Sequence, residues 1–505
     1  MAGVGWPSGQ IDLDRYFAFV FVSGFTGALL NVAGPLLIES RFAGGNAPRA
    51  AIYLFYSTAV YICASVAINA LYAPLADTPA VGRKPGLVFR VFGAAAAAVV
   101  LGVGRASLGS LLASSAVLGG TGPSVAAALL IDVLARGATA RAFWLRATPR
   151  CLFCLVGRLA GPDAPVEAKS EGRASEAAHT VELTRLYVAS GIVSAVGVIP
   201  GSVAGLAVYV QYGLHANLTV AAVLNVFAGL FGCFVLNETL RPETTPAREA
   251  KSLRARYVEA RAELRKFKFA ELWSTLYGDA ADVVRKAYVR ALLIVAFTVA
   301  LVSYTIIYYG RWRHGASDQV YFVMQFTLIL GVVFGFFVYW FWARERFGYA
   351  ACLSFYGYGQ CVVWLVLAAA TDVAWWFPAV FLAGCLVPNL IGLLVITASI
   401  TAGKQGRLQA ALAIAVVAWA IAGLGLSLGV WLLTKGHHER GSHATRHNYA
   451  SASPWFLGSA LSLAIPAVLR PAVKAESIER VEARGDHDGR AVVGSEETGA
   501  RSEAL

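Results

Sequence analysis

Asp77, Gly82, Arg83 and Lys84 stand close together between two long apolar stretches of the 505-residue chain. A carboxylate next to a glycine turn and two adjacent cations can hold two helix ends by charge-assisted hydrogen bonds that break and re-form during a conformational change. Alternatively, the cations retain a loop on the cytoplasmic side of a membrane, and the aspartate is incidental. The spacing favours an inner-loop gate formed by these four residues.

Uncharged polar side chains also occur in the middle of the apolar stretches. In hydrocarbon an amide or a hydroxyl needs a partner, so each side chain faces either another helix or a water-filled cavity. For any single residue the first role is the more common one, but their spread over both halves of the chain favours a polar central cavity. From this group we predict substrate binding by Asn31, Tyr304, Gln325 and Asn389; Asn69 and Gln360 complete it.

Residue types that would indicate a metal site are sparse. Cys151 and Cys154 form a CxxC, but no second cysteine pair or nearby histidine follows, so the sequence predicts two unpaired thiols. His437, His438, His443 and His447 could bind a metal or sense pH, although an exposed loop without a shared role is the simpler interpretation. We therefore expect no metal site and no cofactor.

Two common catalytic motifs, HExxH and the GxxxxGK[ST] phosphate-binding loop, are absent from the sequence. The spacing GxSxG occurs at Gly425 to Gly429, but it lies in the middle of a long apolar stretch, where the strand-to-helix turn of a hydrolase nucleophile is not expected. Ionisable residues inside the apolar stretches are few and stand near their ends: Arg90, Asp132, Arg290 and Arg470. Because charge within a membrane is costly and usually functional, this scarcity argues against a hydrolase, a protease or an ATPase. We expect no catalytic residues and no enzyme.

The elements that must position these residues are membrane-spanning helices. The chain is 57% hydrophobic and 14% charged, and its mean hydropathy is +0.61, whereas soluble domains carry about 25% charged residues. The net charge of +12 could indicate nucleic acid, but the basic residues lie between the apolar stretches, where membrane orientation explains them. We expect an integral, multi-pass membrane protein without a nucleic-acid partner.

Apolar runs that can each cross a bilayer, which takes about 20 residues, alternate with charged or Gly/Pro-rich breaks. They cover residues 16–38, 50–74, 86–104, 107–135, 187–210 and 218–237, and then 289–310, 319–343, 350–371, 374–399, 408–434 and 454–470. The pattern predicts an all-α integral membrane protein with about twelve transmembrane helices in two six-helix bundles.

Charge predicts the orientation of these helices. Most of the 42 lysines and arginines fall on segments that lie inside if the N-terminus is cytoplasmic, so we expect both termini there. The predicted order is a cytoplasmic N-terminus (1–15), a first bundle (16–237) with a cytoplasmic insertion (137–186), a cytoplasmic central loop (238–288), a second bundle (289–470) and a disordered cytoplasmic tail (471–505). Within the insertion, Glu167 to His179 is polar and is also predicted to be disordered.

The order of several short motifs resembles the major facilitator superfamily. Its first inner loop reads G-x-L-A-D-x-x-G-R-K; Leu75, Ala76, Asp77, Gly82, Arg83 and Lys84 match it, with Ala73 in place of the leading glycine and a longer spacing before Gly82. Further matches are Gly119 to Pro123 with Asp132, Arg136 and Arg141; Asn237 to Leu240; and Arg344, Arg346, Phe347 and Gly348. Gln405, Gly406 and Leu408 resemble the tetracycline-exporter and folate-carrier-like branch.

This resemblance implies a secondary transporter in which a small solute binds near the bilayer midplane between two bundles, with access alternating as the bundles rock. The expected partners are that solute and the lipid bilayer, and we expect a monomer. A non-transporting receptor or scaffold on the same helical frame is the alternative. Because the sequence has no ionisable group deep in an apolar run, facilitated diffusion and proton coupling both stay open.

Overall fold

The structure is a computed structural model that describes residues 8–76, 82–103, 107–121, 126–139, 142–143, 172–238, 258, 283–302, 306–339, 343–401, 405–434 and 449–478. Helices dominate these residues, and no strand occurs in the part of the chain described. The predicted all-α class is therefore confirmed. The CxxC pair, the four histidines and nearly all of the central loop lie outside the described residues.

The first half of the chain forms helices α1 to α6. Their bounds are Ser8–Leu37 (α1), Ala47–Ala76 (α2), Lys84–Val103 (α3), Leu108–Gly120 (α4), Ala126–Ala135 (α5) and Gly172–Val235 (α6), with a π-helical turn Ile38–Phe42 after α1. Helix α6 has 64 residues, but Gly213 adopts φ +80° and ψ −176°, a conformation that breaks the helix. Two predicted apolar runs, 187–210 and 218–237, therefore lie on either side of this break.

The second half forms helices α7 to α14. Their bounds are Val283–Val302 (α7), Ile306–His314 (α8), Asp318–Val338 (α9), Tyr349–Ala369 (α10), Trp376–Thr401 (α11), Gln405–Thr434 (α12), Ser453–Ser462 (α13) and residues 464–478 (α14). Helix α9 begins where the Ser317 hydroxyl accepts a hydrogen bond from the Val320 N–H at 3.4 Å. A serine cap of this kind satisfies one of the four N–H groups that a helix leaves unpaired at its start.

Seven of the described helical segments are long and apolar enough to cross a membrane. They are Gly9–Leu30, Arg49–Ile68, Lys84–Val103, Arg185–Val235, Asp318–Phe336, Tyr349–Ala369 and Ala450–Ile478. Shorter apolar helices lie at Leu108–Gly120, Val373–Val387 and Ala415–Val430. The number of crossings, about twelve from the apolar runs, stays a prediction.

Two segments for which the sequence predicted disorder are helical where the structure describes them, at residues 172–179 and 471–478. Helix α6 begins at Gly172, inside the predicted insertion and inside the polar stretch from Glu167 to His179. Helix α14 continues to residue 478, past the start of the predicted tail at residue 471. Ala472 is fully buried, and tertiary packing of such positions stabilises a helix beyond its most apolar stretch.

Each half is built from helices that approach one another closely. In the first half α1 packs on α6 and α2 on α4; in the second half α7 packs on α12 and α9 on α11. Glycines lie at these contacts, because a side chain at Gly201 would overlap the backbone of Phe25 and one at Gly423 the backbone of Phe297. Small residues let helix backbones approach in lipid, where apolar side chains gain little from association. The two halves meet where α2 packs on α12 and α6 on α9.

Helices α6 and α9 run antiparallel across the boundary between the halves, and this fixes the two ends of the bundle. Gly191 lies against the ring of Phe336, and Tyr209, farther along α6, bonds to Asp318 at the start of α9. We call proximal the end where α1, α3, α7 and α10 begin, and distal the end where they finish. The charge pattern of the sequence predicts that the proximal end is cytoplasmic.

Candidate functional site

The turn into α3 at the proximal end holds an ion pair between two helices. Arg83 Nη1 lies 2.7 Å from Asp132 Oδ2 on α5, and the two side chains are 10% and 19% exposed. Because both side chains are largely withdrawn from water, removal of either partner would leave the other charge buried without its counter-ion. Arg83 therefore joins the start of α3 to the end of α5.

Glu238, just beyond α6, binds the same turn through the backbone. Its Oε1 accepts the N–H of Arg83 at 3.0 Å and its Oε2 accepts the N–H of Lys84 at 3.1 Å. A carboxylate here satisfies unpaired N–H groups and interacts favourably with the positive end of the helix dipole. The Lys84 ammonium returns to α6 by donating to the Cys233 carbonyl at 2.6 Å.

A second ion pair ties α1 to α5 beside the first. Arg136 Nη1 donates to Asp12 Oδ2 at 2.6 Å, and Asn237 Nδ2 donates to Asp12 Oδ1 at 2.8 Å. Both carboxylate oxygens of Asp12 are thus used by two different elements.

The proximal cluster comprises the acids Asp12, Asp132 and Glu238 and the bases Arg83, Lys84 and Arg136. Its formal charges balance, as a group of charges held partly away from water requires. All of its members belong to the first half, in α1, α3, α5 and the segment after α6. The cluster therefore holds the proximal ends of these helices together as one unit.

The second half repeats part of this arrangement at its own proximal end. Glu476 on α14 accepts the N–H of Ala350, at the start of α10, at 3.2 Å through Oε1 and at 3.1 Å through Oε2. The Tyr288 hydroxyl on α7 donates to the same carboxylate at 2.5 Å. Gly348 precedes α10 with φ +85°, as Gly82 precedes α3 with φ +70°. A glutamate near the end of each half, Glu238 just beyond α6 and Glu476 on α14, thus caps α3 in the first half and α10 in the second.

At the distal end, contacts cross from one half to the other. The Tyr209 hydroxyl on α6 donates to Asp318 Oδ2 on α9 at 3.1 Å, and the rings of Tyr209 and Phe322 are 5.8 Å apart. Leu36 of α1 packs into the same group with Tyr321. On the other flank, α8 packs against α2.

The structure brings together three of the four residues predicted to form the inner-loop gate. Gly82, Arg83 and Lys84 lie in or beside the proximal cluster, whereas Asp77 lies outside the described residues. Sequence reasoning did not find the partners of Arg83, which are Asp132 and Glu238. Asp132 carried a usable signal, because it is one of the few ionisable residues within an apolar run.

The structure describes the side chains of two of the four residues predicted to bind substrate. Tyr304 and the side chain of Asn31 lie outside what the structure describes. Gln325 is half-buried on α9, and Asn389 on α11 is 8% exposed, with its Nδ2 donating to the Leu386 carbonyl of its own helix at 3.3 Å. Convergence of the four on one cavity remains a prediction.

Comparison with known proteins bears on the fold. No family model matches the sequence, and no curated protein matches it. The structure is similar to that of the human organic anion transporter MFSD10 (TETRAN), with a TM-score of 0.57 and 16% sequence identity over 92% of this chain and 100% of that chain. This likeness shows that the chain shares the fold of that transporter. The seven described helices that are long and apolar enough to cross a membrane agree with the predicted integral, multi-pass membrane protein, and membership of the major facilitator superfamily stays a prediction. The tetracycline-exporter and folate-carrier-like branch stays a prediction.

Proposed function

We propose that the protein is a secondary transporter that moves a small solute across a membrane by alternating access. The observation that carries the proposal is the division of its polar contacts. The proximal cluster and the Glu476 contacts each join helices of one half, whereas the Tyr209 to Asp318 hydrogen bond joins the two halves at the distal end. Two internally braced halves with separable contacts between them suit a rocking motion.

In this mechanism each half moves as a rigid body. The proximal cluster keeps α1, α3, α5 and α6 together while α6 slides or tilts against α9. Opening the distal end requires the Tyr209 to Asp318 hydrogen bond and the packing of Leu36 on Tyr321 to break. A hydrogen bond to a charged carboxylate contributes about 1.5–3 kcal/mol, a cost that solute binding can offset.

We propose that the solute binds between the halves, near Asn31, Tyr304, Gln325 and Asn389. Organic anions are the first class to examine, since the similar human protein is described as an organic anion transporter. No described contact identifies an anion site, so neutral and cationic analogues of the same size belong in the same panel.

Purified protein in liposomes tests the proposal. We expect saturable uptake of at least one solute from a panel of matched anions, neutral compounds and cations, absent from empty liposomes. Running each solute with and without a pH gradient separates facilitated diffusion from proton coupling. A folded protein that moves none of them would favour a receptor or scaffold on the same helical frame.

Orientation has a separate test. The proposed topology, with about twelve crossings, puts a reporter fused after residue 287 in the cytoplasm and one inserted between residues 437 and 447 outside. Both reporters on the same side would contradict the odd number of crossings predicted between them and the bundle order derived from the charge pattern.

A further inference from the structure

An arginine at the distal end of the first half links its first and third helices. Arg41 lies in the π-helical turn that follows α1. Its Nη1 donates to the Leu101 carbonyl at 2.6 Å and approaches the Gly102 carbonyl at 3.5 Å. Both carbonyls belong to the last turn of α3, where the C=O groups of a helix have no N–H partner within the helix.

Arg313 occupies the corresponding place in the second half. It lies in α8, which follows α7, and it is fully buried. Its Nη1 donates to the Ala368 carbonyl in the last turn of α10 at 2.5 Å and to the Tyr309 hydroxyl. Its guanidinium also lies over the Tyr449 ring, 5.1 Å from the centroid.

The two arginines therefore make equivalent contacts. Each stands just after the first long helix of its half and donates to the carbonyl end of the third. A cation at this place satisfies unpaired carbonyls and interacts favourably with the negative end of the helix dipole. With Glu238 and Glu476 at the opposite ends, α3 and α10 each carry an anion at the start and a cation at the finish.

The segments that hold the arginines also touch the opposite half. Leu36, at the end of α1, packs with Tyr321 and Phe322 of the second half. Helix α8 packs against α2 of the first half. Each arginine thus anchors to its own half a segment that forms the distal contact with the other.

We propose that Arg41 and Arg313 are equivalent positioning residues that make the two distal segments, residues 36–42 and 306–314, move as parts of their own halves. The predicted effect on transport rests on the proposed function, whereas the anchoring of the two segments does not. Without the anchors, the distal segments would stay in contact with the opposite half while the bundles rock, and turnover would slow.

Hydrogen exchange of the purified protein, read peptide by peptide, tests the anchoring without any transported solute. We expect Arg41→Gln to raise exchange in residues 38–43 and in the last turn of α3 about tenfold, since a hydrogen bond from a charged donor is lost. Arg313→Gln should do the same in residues 306–314. Arg41→Lys and Arg313→Lys, which keep a cation at the carbonyls, should restore most of the protection.

Arg49→Gln is the matched control. Arg49 is an exposed distal arginine whose guanidinium donates to Tyr53 of its own helix at 3.0 Å, so the same charge is lost without unlinking two elements. Exchange in residues 38–43 that is unchanged by Arg41→Gln, or raised equally by Arg49→Gln, would overturn the anchoring. Arg41→Gln is informative even if Arg313→Gln fails to fold, because Arg41 is only half-buried.

Transport in liposomes tests the consequence. For a solute that the wild-type protein carries, we expect Arg41→Gln to lower the maximal rate and leave the substrate constant unchanged, because the anchor is remote from the proposed binding site. Raised exchange with an unchanged rate would overturn the positioning role. A wild-type protein that transports nothing would contradict the proposed function, while the exchange experiment would still decide the anchoring.

Discussion

Gly82 satisfies two demands of the turn into α3 at once. Its φ of +70° lies in a region that residues with a Cβ avoid. A methyl group on its Cα would also overlap the Glu238 carboxylate that binds the next two N–H groups. The glycine therefore belongs to the proximal cluster as much as the charged residues do.

Gly82→Ala should lower the apparent melting temperature of the purified protein more than Gly44→Ala does. Gly44 has a φ of +62°, and a Cβ there would meet nothing within 4 Å, so its substitution reports the backbone strain alone, about 1–2 kcal/mol. The difference between the two variants measures the displacement of Glu238. Equal shifts for both would show that Glu238 moves aside freely and does not brace the turn.

Arg83 and Asp132 should be coupled in a double-mutant cycle. Arg83→Gln and Asp132→Asn should each lower the melting temperature and the free energy of unfolding. The double variant should lose less free energy of unfolding than the two single losses combined, and the difference, the coupling free energy, should be about 1 kcal/mol or more.

The pair of Arg185 with Glu182 is the control for this cycle. It has a similar exposure of 12% and 14% and an N to O distance of 3.2 Å, but both residues lie on one helix. Its cycle should give a smaller coupling, because its partners are already held near each other by one helix whether or not they pair. Equal coupling free energies for the two pairs would show that the ion pair between α3 and α5 stabilises the protein no more than a pair within one helix.

At the scale of the elements, glycines set how closely the helices pack. A side chain at Gly197 would overlap the backbone of Phe21, and one at Gly201 that of Phe25, so α1 and α6 approach backbone to backbone over two turns. In the second half, Gly423 of α12 meets Phe297 of α7 in the same way. These glycine contacts hold α1 on α6 and α7 on α12, as the proposed rocking of each half as one body requires.

Gly201→Ala should destabilise the protein by forcing α1 and α6 apart. Gly27→Ala, on α1, is the control, because a Cβ there would meet nothing within 4 Å. Alanine is favoured over glycine within a helix by about 0.5–1 kcal/mol, so the control should leave the melting temperature unchanged or raise it. Thermal unfolding in detergent measures both, and a neutral Gly201→Ala would mean that the interface has room for a methyl group.

The sequence predicted the elements better than their ends. Apolar runs of membrane-spanning length placed most helices, because burial in lipid depends on local composition. It did not predict helix at Gly172 or beyond residue 471, since both stretches are polar. At the second of them Ala472 is fully buried, so packing on other elements stabilises the helix there. Composition alone cannot report such packing.

For the site, the sequence identified Gly82, Arg83 and Lys84 but not what they bind. Asp132 lies on α5 and Glu238 just beyond α6, both far along the chain from Arg83, and a single sequence does not reveal which helix faces meet. The same limit applies to Asn389, whose amide bonds to its own helix. A mid-span amide signals the need for a partner without revealing which partner it has.

At the scale of the whole molecule, Tyr209 and Asp318 form a hydrogen bond on which the balance between the halves can depend. The bond lies at the distal end, 3.1 Å long, with Phe322 packed beside the phenol ring. Removing the hydroxyl leaves the ring packing in place and removes only the polar link. The population with an open distal end should therefore rise without a large change in overall stability.

Tyr209→Phe should speed labelling of a cysteine substituted for Leu206 by a membrane-impermeant maleimide, in a background with the seven native cysteines replaced. Loss of about 1.5–3 kcal/mol corresponds to roughly tenfold to a hundredfold faster labelling. Tyr212→Phe is the control, since Tyr212 lies on the same helix but is 72% exposed. Equal rates in the Tyr209 variant, the Tyr212 variant and the parent would mean that the hydrogen bond does not hold the distal end closed. Rates raised equally in both variants would point to a general loosening of α6.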